Sequence, residues 1–269
     1  VSKLIHQNIA ASKTLERDPA TGDYYLIMEC VDGEDLRRWI KRKRKEGTLT
    51  PEAVLPVLRQ VADALDYAHA ERVIHRDIKP GNIMINADGK VKVLDFGLAA
   101  QIHTSMTRVS MAYHGTSGTG PYMAPEQWRG RAQGSSADQY ALAVMAYEML
   151  AGHLPFESTD AAVLREAVLN DTPQELDNIP IYTRNAIRRA MSKEPNERFA
   201  SCADFVAAFS GKKVKAPKAS KNPRKTGIIV ALVLILALIS GGIVWHRVSG
   251  TRAEAARQAE LARRQQEET

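Results

Sequence analysis

Apolar positions change period several times along residues 1–211. Residues 24–31 form a strand-length apolar run that ends at the turn pair Asp32-Gly33. Over residues 50–71 the spacing lengthens to that of a helix, with Pro51 at the first turn, where a missing N–H is tolerated. Short apolar runs return at residues 73–74, 83–85 and 91–94, and Asp88-Gly89 between the last two is a hairpin signal. The rest is mostly helical in pattern, including an apolar run over residues 140–150 closed by Gly152. A few strands followed by many helices predicts an α+β fold.

Residues 226–245 break this pattern. They carry no charge and are dominated by Ile, Leu, Val and Ala. At about 1.5 Å per residue such a stretch would cross a hydrocarbon core of about 30 Å, which predicts a single transmembrane helix with Trp245 as an interfacial anchor. A basic run precedes it: Lys212, Lys213, Lys215, Lys218, Lys221, Arg224 and Lys225, with no acid among them. By the positive-inside bias residues 1–225 would lie in the cytoplasm, at the plasma (cell inner) membrane, with an extracytoplasmic C-terminus and the bilayer as partner. The expected layout is a domain at 1–210, a basic juxtamembrane linker at 211–225, the span at 226–245 and a helical or coiled tail at 246–269.

Charge changes the picture little. The net +6 is concentrated in the basic run, so it argues against a nucleic-acid-binding face. The two cysteines, Cys30 and Cys202, form no C-x-x-C pair, which argues against a disulfide framework or zinc site and for a reducing compartment. Val1 without a preceding Met, and a C-terminus without a folded module, read as two cut ends.

Three motifs carry the chemistry: His75-Arg76-Asp77-Ile78-Lys79-Pro80-Gly81-Asn82, Asp95-Phe96-Gly97 and Ala124-Pro125-Glu126. They resemble the catalytic loop, metal-binding motif and activation-segment end of eukaryotic-type (Hanks-type) protein kinases, of the bacterial membrane-anchored kind, over about residues 1–210. The resemblance implies a small β-rich N-lobe, here incomplete, and a mostly helical C-lobe. It implies a protein Ser/Thr kinase that transfers the γ-phosphate of ATP, with Mg²⁺, to protein substrates; Lys79, two residues after Asp77, is closer to Ser/Thr than to Tyr kinases. The alternative is a non-catalytic kinase-like receptor or scaffold, and a homodimer is admitted as a further partner.

The residue types suit that chemistry. Phosphoryl transfer needs a group to orient the attacking hydroxyl and accept its proton, for which Asp77 is the candidate. Asn82 and Asp95 offer the hard oxygen ligands that Mg²⁺ prefers, and Lys79 is a compact cation for the transferring phosphate. By resemblance, Glu29 and Val31 in Met28-Glu29-Cys30-Val31 would meet the adenine through their backbone. His75 would pack with Phe96, Asp138 would brace the catalytic loop, and Glu126 would pair with Arg198. Ala143 departs from the Gly usual in that helix. Arg76 marks the kinase type whose activation loop is ordered by a phosphate, with Thr104, Ser105 or Thr107 as the autophosphorylation candidates, whereas Thr119 is assigned a structural, substrate-facing role. No G-x-G-x-x-G loop, strand lysine or partner Glu precedes His6-Gln7-Asn8-Ile9, so this fragment alone is expected to be nearly inactive.

Overall fold

A computed structural model of the chain describes residues 4–96 and 120–214. They belong to the first of two compact units, residues 1–217; the second, 218–269, lies outside the described residues. Five strands and seven helices occur among the described residues. Strands β1 (Ser12–Arg17) and β2 (Tyr24–Met28) form an antiparallel pair with a bulge between Ser12 and Thr14. Strands β3 (Glu34–Asp35), β4 (Ile83–Ile85) and β5 (Val91–Val93) form a small antiparallel sheet in the order β3-β4-β5. Ile9 joins its edge as a parallel bridge to Val93, and the buried Asn8 side chain fixes that junction by donating to Val91 O at 2.8 Å.

Helix α1 (Leu36–Lys45) starts at Asp35, whose carboxylate accepts the Arg38 N–H. Helix α2 (Pro51–Ala70) starts at Thr50, which caps the Ala53 N–H. Its buried residues Val54, Leu58, Val61, Leu65 and Ala68 recur at three- and four-residue spacing, one side of a 3.6-residue helix. Helix α3 (Pro125–Trp128) is a single turn that leads into α4 (Ser135–Ala151). Twelve of the seventeen residues of α4 are buried, so it is covered on almost every side, and Ala143 is fully buried within it. It stops at Gly152, whose left-handed φ of 94° suits a residue without Cβ. Helices α5 (Ala161–Asn170), α6 (Ile181–Ala190) and α7 (Cys202–Phe209) complete the helical part. Helix α2 packs against both α4 and α7, and one continuous apolar core runs through these elements.

A β-rich part followed by a helical one is thus present, but the expected transmembrane helix is corrected. Among the described residues no helix is long and apolar enough to cross a membrane. Helix α2 has the length but carries Glu52, Arg59, Asp63 and Asp66, and the apolar α4 falls short of the roughly 20 residues a span needs. Residues 226–245, where the span was expected, lie outside the described residues. The bilayer partner and the single-pass placement at the plasma membrane, built on that span, are withdrawn with it.

Candidate active site

The loop between α2 and β4 is bent by two non-glycine residues in the left-handed region, Arg72 (φ 61°) and Arg76 (φ 70°). Such backbone costs about 1–3 kcal/mol per residue unless its surroundings enforce it. Here they do. The buried Asp138 carboxylate, projecting from α4, accepts the His75 N–H at 2.9 Å on Oδ2 and the Arg76 N–H at 2.8 Å on Oδ1. Gln127 of α3 donates to the Arg76 carbonyl at 3.1 Å. His75 is itself buried; its Nε2 lies 2.7 Å from the Leu94 carbonyl, and its ring meets the Phe96 ring edge-on at 4.6 Å.

These supports present Asp77. Its Oδ2 is held by Lys79 Nζ at 2.9 Å and by the Asn82 amide at 3.0 Å, and the same amide donates to the Asp77 carbonyl at 2.8 Å. Its other oxygen, Oδ1, is buried without a hydrogen-bond partner among the described residues. The Asn82 carbonyl in turn accepts the Leu94 N–H at 2.8 Å, which sets Asp95 directly beside the loop. Asp95 has φ 62°, a third strained backbone position in the same cluster. Asp77, Lys79, Asn82 and Asp95 are therefore brought together by the turn at Pro80–Asn82 and the β4–β5 hairpin. The Asn82 amide nitrogen faces Asp77, which leaves its carbonyl oxygen and the Asp95 carboxylate as hard donors, a set that fits Mg²⁺.

Other expected residues lie apart from this cluster. Glu29 follows β2, where Lys92 Nζ approaches its carboxylate at 2.7 Å and the Ala11 N–H donates to it; the Lys92 hydrogen bond is the main reason its pKa is lowered. Val31 is half-buried just beyond. Glu126 and Arg198 form a buried ion pair in the helical part. Thr104, Ser105, Thr107 and Thr119, like Gly97, lie outside the described residues.

Several supporting residues were not singled out in the sequence. His69, on the last turn of α2, places Nε2 2.7 Å from Asp138 and Nδ1 3.9 Å from Asp66. Burial alone would lower its pKa, but the hydrogen bonds to these two carboxylates outweigh it and hold the imidazole up to about 9. Asp66 also accepts the Cys202 and Ala203 N–H groups at the start of α7. Asp66, His69 and Cys202 have metal-ligand chemistry within 4.8 Å, yet both Asp66 oxygens cap a helix and burial pushes the Cys202 thiol well up. The trio is a structural cap. A signal did exist: Asp66 sits near the C-terminal end of its helix, where the dipole disfavours an acid, so a partner elsewhere was to be sought.

Comparison with known proteins agrees with this geometry. Residues 1–209 match the protein kinase domain. The chain is 33% identical to the serine/threonine-protein kinase PknF of Mycobacterium tuberculosis, over 97% of this chain and 58% of that protein. It is 36% identical to PknA of Corynebacterium glutamicum over 79% of this chain and 44% of that protein, and 32% identical to PknB of M. tuberculosis over 82% and 36%. The chain thus spans about half the length, or less, of these curated relatives.

Proposed function

The chain belongs to the protein kinase family, in its bacterial Ser/Thr branch, and from that premise we propose that it phosphorylates Ser and Thr hydroxyls of proteins. ATP with Mg²⁺ is the donor typical of this family. The observation that carries the reading is the Asp77 carboxylate, held on one oxygen by Lys79 and Asn82 while its other oxygen is buried without a hydrogen-bond partner among the described residues. A buried carboxylate oxygen without a partner is costly in a purely structural role and is suited to an incoming hydroxyl.

In this reading Asp77 orients the substrate hydroxyl and accepts its proton as the oxygen–phosphorus bond forms and ADP departs. Lys79 faces the transferring phosphoryl group. Asn82 and Asp95 would hold the Mg²⁺, which when bound neutralises charge on the phosphates. The Glu29 carbonyl and the Val31 N–H would meet the adenine. The Glu29 side chain is engaged by Lys92 and its N–H by Ala11 O, which leaves the backbone beyond for that role. The kinase domain would occupy residues 1–210, with 211–225 as a linker. Phosphorylation at Thr104, Ser105 or Thr107 would offer an anion to Arg76, whose Nε is buried without a partner among the described residues.

The test is protein expressed from its complete reading frame and assayed with Mg-ATP beside an Asp77→Asn variant. Turnover should fall by about 10²–10⁴-fold while nucleotide binding persists. Unchanged turnover in the variant would remove Asp77 from the chemistry, and a wild-type protein that transfers no phosphate would be a non-catalytic scaffold.

A further inference from the structure

Helix α1 carries Arg37, Arg38, Lys41, Arg42, Lys43, Arg44 and Lys45, seven cations in ten residues, against the flanking acids Glu34, Asp35 and Glu46. Leu36, Trp39 and Ile40 hold the helix to the core, so most of its remaining circumference is cationic. Arg42, Lys43, Arg44 and Lys45 in the last turn suit the helix dipole, but the start of the helix does not. Arg37 and Arg38 stand in the first turn, where the helix dipole disfavours cations, and the i,i+4 pairs Arg37/Lys41 and Arg38/Arg42 repel. Such charges lower the stability of the isolated helix and gain from an anion brought by a partner.

Part of the strip is already engaged. Arg42 bridges Glu34 at 2.7 Å and Glu46 at 3.1 Å, Lys43 reaches Glu46 at 2.9 Å, and Arg44 donates to the Glu148 carbonyl at 3.0 Å. Among the described residues the ion-pair partner of Arg37 and Arg38 is Asp35, at 3.9 and 3.5 Å, and their side chains are 70% and 80% exposed.

Position gives this strip a purpose. Helix α1 packs on the turn Pro80–Asn82 that holds Asp77 through Asn82. Gly81 of that turn has no side chain, and the Arg37 Nη2 lies 2.8 Å from where its Cβ would stand. The guanidinium therefore covers the catalytic loop itself. From there its charge reaches Tyr122 and Glu148. Burial raises the Glu148 pKa, its carboxylate accepts the Tyr122 hydroxyl at 2.6 Å, and Glu157 is the other acid near the pair.

We propose that Arg37, with Arg38 beside it, reads acidic or phosphorylated residues within a few positions of the substrate's Ser or Thr acceptor. The proposal rests on the kinase reading of Asp77 and names the substrate class of that same site. Guanidinium groups suit both carboxylate and phosphate, so the peptide arms of the test separate the two.

The test uses protein from its complete reading frame and peptides with one Ser flanked by neutral, Glu, Arg or phosphoserine residues. The Glu-flanked or phosphoserine-flanked peptide should exceed the neutral one in kcat/KM by roughly threefold to tenfold, the gain lying in KM and fading as salt rises. The double variant Arg37→Glu with Arg38→Glu should abolish or invert that ratio, while Lys45→Glu, at the far end of the helix, should leave it. A preference for the Arg-flanked peptide, a ratio untouched by the double variant, or equal loss in Lys45→Glu would overturn the proposal. Absence of phosphorylation on every peptide would instead overturn the kinase reading. Anisotropy of the labelled Glu-flanked peptide binding to wild type and double variant would then still decide the role of Arg37 and Arg38.

Discussion

Arg198 and Glu126, 72 residues apart, meet in a two-pronged ion pair with Nη1–Oε1 at 2.7 Å and Nη2–Oε2 at 2.8 Å. The guanidinium is wholly buried, and its remaining N–H groups are also placed: Nε donates to Ser192 O at 2.9 Å and Nη1 to Ser136 O at 2.8 Å. The pair ties the start of α3 to the segment between α6 and α7 and lies over the Tyr140 ring of α4.

Removing one partner would leave the other charge buried and alone. Arg198→Met or Glu126→Gln should each destabilise the fold by about 3–5 kcal/mol. The double variant Glu126→Gln with Arg198→Met should lose less than the two single losses added together. Urea denaturation of the four proteins checks this; strict additivity would show that the two side chains do not act as a pair.

His69 makes stability depend on pH. Its folded pKa of about 9 lies above the ordinary 6.5, so its contribution is complete below about pH 6.5 and is lost as pH rises through about 9. The expected loss is on the order of 3 kcal/mol. Lys193, which burial holds down to about 8 from 10.5, works in the opposite direction between those values. The quantity to read is therefore the difference between wild type and His69→Gln across pH 6 to about pH 9.5. That difference should shrink with rising pH; a constant difference would mean that His69 is not protonated in the folded state.

Gly33 turns the chain from the Glu29 segment into β3 with φ 135°, and a Cβ there would collide with the Ile85 backbone carbonyl. Gly33→Ala should cost at least about 2 kcal/mol, from the strained dihedral and the displaced β4 backbone together. Gly89→Ala is the comparison. It too has a positive φ, of 75°, nearer the left-handed region, and nothing stands near its Cβ, so its loss should be smaller on both counts.

The two cysteines should differ in reactivity. Cys30 is exposed, whereas Cys202 is buried at the start of α7, and burial pushes its thiol well above the ordinary range. Maleimide at neutral pH should label Cys30 in the folded protein and reach Cys202 only after denaturation, as read by peptide mass. Rapid labelling of Cys202 in the folded state would mean that the α2–α7 contact opens readily.

Helix α2, the strands β4 and β5 and the helix α4 were legible because their apolar spacing matches what they bury. Strand β1 was not, since five of its six residues are exposed and no alternation marks it. Helix α1 was hidden by its seven cations, with only Leu36, Trp39 and Ile40 to signal a buried face. In the site, Asp77, Lys79, Asn82 and Asp95 stood out through their motifs. The side chains that hold them did not. His69, Gln127 and Asp66 act across large sequence distances, and their polar character resembles ordinary surface chemistry until the fold brings them inside.

The bond from Asp138 to the His75 and Arg76 amides has a consequence for how such a protein changes over time. The reactive loop takes its shape from α4, the helix least open to solvent, and not from the rim that a substrate touches. If α1 belongs to that rim as proposed, its residues would thereby be free to drift and to acquire new preferences for what is modified. The geometry proposed for the transfer step would stay insulated in the interior, so choice of target and competence for chemistry could evolve on separate tracks.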